Sequence, residues 1–353
     1  MRRLSFVYCI VILSISFMVT NLTTVTAEAW SNFKVYNFDS GKPVKVDISP
    51  AEKASKPWKL YALLPHMKDG YWVSVNYGLV EEAKRLGVKL TILQAGGYSE
   101  MAKQVNQYDD CLSTNPDAIL IAPIAESGLA AKIEKTAKTG LVQIGFVNPI
   151  KTAPVTSKIF VDYATKGRQT GEYLAKLFVE RKGKVVAFPG PQGSGWAEAY
   201  LNGFHEALEG STVDILADKF GPAGVAESLI LVEDSLQAYP QMNAIWGGAP
   251  AAEAAIGAVE EAGKEKDMVI ISSYENQTMV DFLKEDKITA FATEFPVMQG
   301  RIAVSMAVKA LEKKKIPAYM EIIPQMATMD NIEDIDLTTV LAPPGYRPVF
   351  SVD

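Results

Sequence analysis

Residues 115–147 read NPDAILIAPIAESGLAAKIEKTAKTGLVQIGFV. Asn115-Pro116-Asp117 is a turn signal, because proline fixes φ while Asn and Asp side chains bond back to their own backbone. Residues 118–122 form a short unbroken apolar run of strand length. Residues 125–139 carry apolar side chains at helical spacing, and Gly140 stops them. Residues 141–147 are again a strand. Strand, helix and strand in one stretch predict a parallel pair joined by a helix.

The alternation extends in both directions. Upstream, residues 59–64 read as a buried strand, 70–86 as an amphipathic helix ending at Gly87, 88–93 as a strand and 99–114 as a helix. Downstream, helices are predicted over 165–181, 196–208, 225–239, 251–262, 277–285 and 297–313. Strands are predicted over 184–188, 213–220, 244–246, 268–272, 288–294 and 319–326. Two successive βα sets of similar size predict an α/β chain of two doubly wound, parallel-sheet lobes. Ligands of such sheets sit beyond the carboxyl ends of the strands. That rule singles out the loops 65–71, 123–127, 148–149, 189–196, 247–250 and 274–276.

The N-terminus has another character. Arg2 and Arg3 precede an apolar run over residues 4–19, and the small residues of Val25-Thr26-Ala27 follow. This is the pattern of a secretory signal peptide, 1–27, cleaved after Ala27 and delivering the chain to the periplasm. Residues 28–57 read as a polar extension without a sustained period. Cys9 leaves with the leader, so Cys111 has no intramolecular partner and reads as a small buried hydrophobe.

Composition removes several functions. A net charge of −6 gives no electrostatic case for nucleic acid or an anionic membrane surface. Two histidines and one mature cysteine make a zinc site improbable. No phosphate-binding Gly-x-x-x-x-Gly-Lys-Ser/Thr, no Gly-x-Gly-x-x-Gly after a strand and no Gly-x-Ser-x-Gly elbow occurs. No residue is singled out as catalytic, no cofactor is implied, and the expectation is a binder rather than an enzyme.

The loops at the strand ends are aromatic instead. Tyr71 and Trp72 follow the first strand, Trp196 opens a helix, Tyr274 ends a strand, and Tyr163 stands where the chain would first pass between lobes. Asp69, Asp162, Glu275 and Glu294 lie near them. Converging rings suit a flat apolar ligand or a methylated ammonium, which ring faces attract by roughly 0.5–2 kcal/mol each.

Between Lys59 and about Met326 the chain resembles the type I periplasmic binding proteins, the superfamily of the ribose-binding proteins and the LacI-repressor ligand domain. The matching residues are Gly70-Tyr71-Trp72 with Gly78-Leu79-Val80-Glu81-Glu82-Ala83-Lys84-Arg85-Leu86-Gly87, and residues 116–123. Asp162-Tyr163 with Gly167-Arg168-Gln169, and Gly203-Phe204-His205-Glu206-Ala207-Leu208, complete them. The resemblance implies three crossovers, near residues 163, 293 and 318. Lobe one would then hold 58–163 and 295–317, and lobe two 164–294 and 318–353.

Departures from the sugar-binding members narrow the ligand. Where those carry Asp-Asn, an Arg and an Asp, this chain has Asp162-Tyr163, Tyr200 and Tyr274. A sugar would leave hydroxyls unmatched at about 1–3 kcal/mol each. Ala95-Gly96-Gly97-Tyr98-Ser99, Asn76-Tyr77-Gly78, Ala251-Ala252-Glu253-Ala254-Ala255 and Gly345-Tyr346-Arg347-Pro348-Val349 are similar to the branch that senses trimethylamine N-oxide (TMAO). That likeness implies a TMAO sensor docking on the periplasmic domain of a histidine kinase, with Tyr71, Trp72 and Tyr274 on the ligand and Tyr163 where the branch carries Trp. Ring faces would take the methyls, and Trp72 N–H and tyrosine O–H groups would take the oxygen. The alternative is an importer-associated binding protein for a small methylated amine.

Overall fold

The computed structural model describes residues 29–353. The expected leader and its cleavage point lie outside the described residues. The chain runs β1 (Phe33–Asn37), β2 (Val44–Ile48), β3 (Lys59–Leu64), α1 (Gly70–Leu86), β4 (Lys89–Gln94), α2 (Met101–Ser113), β5 (Ala118–Ile121), α3 (Glu126–Ala137), β6 (Val142–Phe146) and β7 (Ser157–Val161). It continues through α4 (Tyr163–Leu177), β8 (Gly183–Phe188), α5 (Trp196–Leu208), β9 (Val213–Asp218), α6 (Val225–Ala238), β10 (Ala244–Gly247), α7 (Ala249–Glu261), β11 (Val269–Ser272) and α8 (Gln277–Lys284). It closes with β12 (Ala290–Thr293), α9 (Pro296–Leu311), β13 (Tyr319–Ile322), β14 (Gln325–Ala327) and β15 (Ser351–Val352).

Two sheets form, in the orders β15-β4-β3-β5-β6-β7-β13-β1-β2 and β14-β12-β11-β10-β8-β9. Strands β3 to β7 with β13, and β8 to β12, pair in parallel, while β1, β2, β14 and β15 add antiparallel edges. The first sheet is covered on both faces. Leu60, Ala62 and Leu64 of β3 enter one core with Val75 and Leu79 of α1, while Tyr61 and Leu63 enter another with Tyr108 of α2 and Leu129 of α3. The strict alternation along β3 is the period of two expected of a strand buried on both sides. No helix among the described residues is long and apolar enough to cross a membrane.

The structure departs from the sequence-based expectation at both ends. Residues 28–57 are not a featureless extension: β1 and β2 form a hairpin that joins the first sheet through β13, with Val35 opposite Ile322. The partner strand lies at the far end of the chain, where no local pattern announces it. The single strand expected over 319–326 is two strands in different sheets, broken at Ile323-Pro324. Proline offers no backbone N–H, so the ladder cannot run through it. Residues 318–353 therefore do not belong wholly to the second lobe: β13 and β15 lie in the first sheet. The tail returns there because Asn76 of α1 bonds the backbone of Val349 and the Tyr346 hydroxyl.

Two helix pairs set the position of the site. An added Cβ at Gly78 of α1 would stand 2.0 Å from the Val297 carbonyl oxygen of α9. Added Cβ atoms at Gly167 of α4 and Gly203 of α5 would stand 1.9 Å from the carbonyl oxygens of Tyr200 and Ala164. These contacts bring the middle of α1 beside the start of α9, and the first turn of α4 beside the middle of α5. The amino ends of those helices carry the aromatic residues.

Candidate functional site

The carboxyl ends of both sheets face a cavity between the lobes. Asp69 ends the loop after β3 and caps α1, its Oδ1 accepting from the Tyr71 amide at 3.1 Å. The cap holds the first turn, so Tyr71 and Trp72 both reach the cavity. Tyr274 leaves the end of β11 and donates its hydroxyl to Asp69 Oδ2 at 2.9 Å, while Asn276 donates to Oδ1 at 3.2 Å. The second lobe is thus tied to the helix cap of the first. Trp196 is the first residue of α5. Gly190, at φ +118°, leaves room for its ring, since a Cβ there would lie 2.6 Å from the indole.

Tyr71, Trp72, Tyr163, Tyr274, Asp69 and Trp196, all singled out from the sequence, line the one cavity. Tyr98, Tyr200, His66, Asn148 and Glu294 complete much of its wall. Six rings make a closed circuit of edge-to-face contacts. Centroid distances are 5.5 Å from Trp72 to Tyr71, 5.6 Å on to Tyr274 and 6.4 Å on to Trp196. The return runs 5.8 Å to Tyr98, 5.5 Å to His66 and 6.0 Å back to Trp72. Tyr200 stands 5.6 Å from Trp196 and 5.1 Å from Tyr163. The cavity volume is about 30 Å³, the room of roughly two or three waters. That suits one compact molecule.

A buried polar cluster closes one side. Glu294 Oε1 accepts from Lys166 Nζ at 2.7 Å and from the Tyr200 hydroxyl at 2.8 Å. Its Oε2 has no partner among the described residues. Glu275 Oε1 accepts from the Thr293 hydroxyl and the amides of Glu294 and Phe295. Burial raises the Glu275 carboxyl to about 7. Burial also raises Asp69, against the pull of the Tyr71, Tyr274 and Asn276 donors. The hydroxyls of Tyr71, Tyr163, Tyr200 and Tyr274 are all pushed well above the ordinary tyrosine range by burial, so these rings stay neutral. An aromatic wall with buried carboxylates and neutral phenols offers cation–π faces and acceptors.

Some expectations shift. Asp162 does not face the cavity; it caps α4, accepting from the Thr165 amide and hydroxyl. Tyrosine hydroxyls expected to receive the ligand oxygen are committed elsewhere: Tyr163 donates to the Val147 carbonyl, Tyr200 to Glu294 and Tyr274 to Asp69. Tyr98 and His66 were not singled out, although both follow carboxyl ends of strands, β4 and β3, and the same rule reaches them. Lys166 lies inside a helix, and no sequence signal marks it.

A family model described as periplasmic binding protein domain matches residues 60–315. The periplasmic protein TorT of Escherichia coli K12 is 31% identical over 334 residues, covering 93% of this chain and 95% of its own length. An ABC transporter solute binding protein of Bradyrhizobium sp. BTAi1, solved with bound Bis-Tris, superposes with a TM-score of 0.79 at 38% identity, covering 92% of this chain and 99% of that one. TorT in its complex with the TorS sensor domain, solved without ligand and with TMAO, gives a TM-score of 0.76 at 27% identity, covering 83% of this chain and 99% of that one.

Proposed function

The chain belongs to the periplasmic binding protein family and is TorT-like, and from that premise we propose that it binds TMAO between its lobes and reports it to a TorS-type histidine kinase. The observation that carries the ligand is the closed circuit of six rings, with Asp69 and Glu294 in the wall. TMAO presents methyl groups on a cationic nitrogen to ring faces and a strong acceptor oxygen to donors. Several ring contacts of about 0.5–2 kcal/mol, less the cost of ordering, correspond to modest affinity. The site residues proposed are Asp69, Tyr71, Trp72, Tyr163, Trp196 and Tyr274. Tyr274 and Asn276 bond Asp69 across the lobes, so a ligand that favours the closed form shifts the lobe equilibrium, and the partner reads that shift.

Calorimetry on the chain from residue 28 onward tests the ligand, with TMAO, betaine, choline and ribose compared. TMAO is expected to bind, and Trp72→Ala to lose at least about tenfold. Ribose binding tighter than TMAO would overturn the reading. Recovery of the cognate kinase's periplasmic domain from a pull-down supports the sensor role, and intact TMAO after long incubation supports binding without turnover.

A second reading is favoured by the Bradyrhizobium structure, whose bound Bis-Tris is a tertiary amine. In that reading the chain delivers a small methylated amine to an importer. Recovery of a permease and no kinase would establish it in place of the sensor.

A further inference from the structure

The His66 imidazole is 2% exposed and lines the cavity between Trp72 and Tyr98. Its Nδ1 accepts the Lys68 amide N–H at 3.2 Å. An accepting Nδ1 in a neutral ring puts the proton on Nε2. Burial, with Lys68 nearby, lowers the His66 pKa to about 4, so the ring is neutral at pH 7. Nε2 is itself buried and has no partner among the described residues. A buried N–H without an acceptor is destabilising, and a ligand acceptor would relieve that cost. Two neighbouring donors are already engaged. Trp196 Nε1 donates to the Tyr98 oxygen at 3.1 Å, and Asn148 Nδ2 to the same oxygen at 3.0 Å.

We propose that His66 Nε2–H is the donor that takes the ligand's oxygen, and that it selects an N-oxide over the methylated ammonium of the same shape. The assignment rests on the TMAO reading of the cavity. It orients the ligand with oxygen toward the loop after β3 and methyl groups toward the rings. The unpartnered Glu294 Oε2 stands in the opposite sense, an acceptor and an anion, and suits the cationic pole. His66 is thus the specificity-determining member of the ring circuit, while the other five rings supply the bulk of the contact.

The test compares TMAO with tetramethylammonium, which keeps the methylated cation and has no oxygen. Wild type, His66→Phe and His66→Gln are titrated with both by calorimetry at pH 7.5. The glutamine amide nitrogen reaches about where Nε2 stands and restores the donor. Expected is a loss of tenfold or more for TMAO in His66→Phe, less than threefold for tetramethylammonium, and TMAO binding by His66→Gln within about threefold of wild type. In 15N-labelled wild type the His66 Nε2 proton should move downfield on adding TMAO. Equal losses for both ligands, or no shift of that proton, would overturn the assignment while leaving the TMAO reading in place. No TMAO binding by wild type would overturn that reading and this assignment together.

Discussion

Replacing Lys166 by methionine probes the polar cluster directly. Lys166 is 0% exposed, its Nζ 2.7 Å from Glu294 Oε1 and 3.1 Å from the Tyr200 hydroxyl. At that separation a unit pair interacts by about 6 kcal/mol at an effective dielectric of ~20, before desolvation is set against it. Methionine keeps the length of the stem and removes the charge. Glu294 then stays buried with one hydroxyl donor, one bare oxygen and Glu275 as a like-charged neighbour. Breaking one member of a buried pair in this way costs about 3–5 kcal/mol. Glu294→Gln should cost a similar amount by stranding the ammonium. The double variant should recover most of the loss, within about 1–2 kcal/mol of wild type, because neither charge is left unmatched. Urea unfolding followed by tryptophan fluorescence at pH 7.5 measures all four proteins. A Lys166→Met loss under 1 kcal/mol, or strictly additive single effects, would refute the view that this contact is an energetically coupled pair.

Three further outcomes follow from the packing and the buried groups. Gly78→Ala should destabilise by about 1–3 kcal/mol or more, measured as a fall in urea midpoint, because its Cβ would meet the Val297 carbonyl at 2.0 Å and backbone cannot step aside. His66 has a folded pKa of about 4 against 6.5 unfolded, so its contribution is whole above pH 6.5 and is lost as pH falls toward 4. His66→Gln should remove about 2 kcal/mol of the stability lost between pH 7.5 and pH 5, and parallel pH profiles of the two proteins would contradict this. Cys111 is buried at 0% exposure and its thiol is pushed up to about 12, so a maleimide should label it only as fast as urea unfolds the chain.

Much of the site was legible because the relevant signals are local. A strand followed by a helix shows its period within a few residues, and the ligand-bearing loops of a parallel sheet lie at the strands' carboxyl ends. Applying that rule to residues 65–71, 189–196 and 274–276 finds Asp69, Tyr71, Trp196 and Tyr274, with Trp72 one residue beyond the first loop, and the cavity contains all five. The same rule extended to the end of β4 reaches Tyr98. Lys166 escapes it because a lysine inside an amphipathic helix reads as a solvated charge, and only the approach of α4 to the end of β12 turns it inward.

The amino-acid sequence by itself determined the α/β class, the two successive sets of βα units and the aromatic character of the loops between them. Each rests on periodicity, turn chemistry or residue type within a short window. The tertiary structure alone decided how distant segments meet. It set Val35 against Ile322 and Ser351 against Thr91, joining both chain ends to the first sheet. It also placed Tyr274 on Asp69, 205 positions away, and Lys166 on Glu294, 128 positions away. Such pairings depend on which helix faces can approach closely, as at Gly78 and Gly167, and on how many buried donors and acceptors find each other once they do. No local pattern encodes that matching, because its partners become neighbours only in the packed molecule.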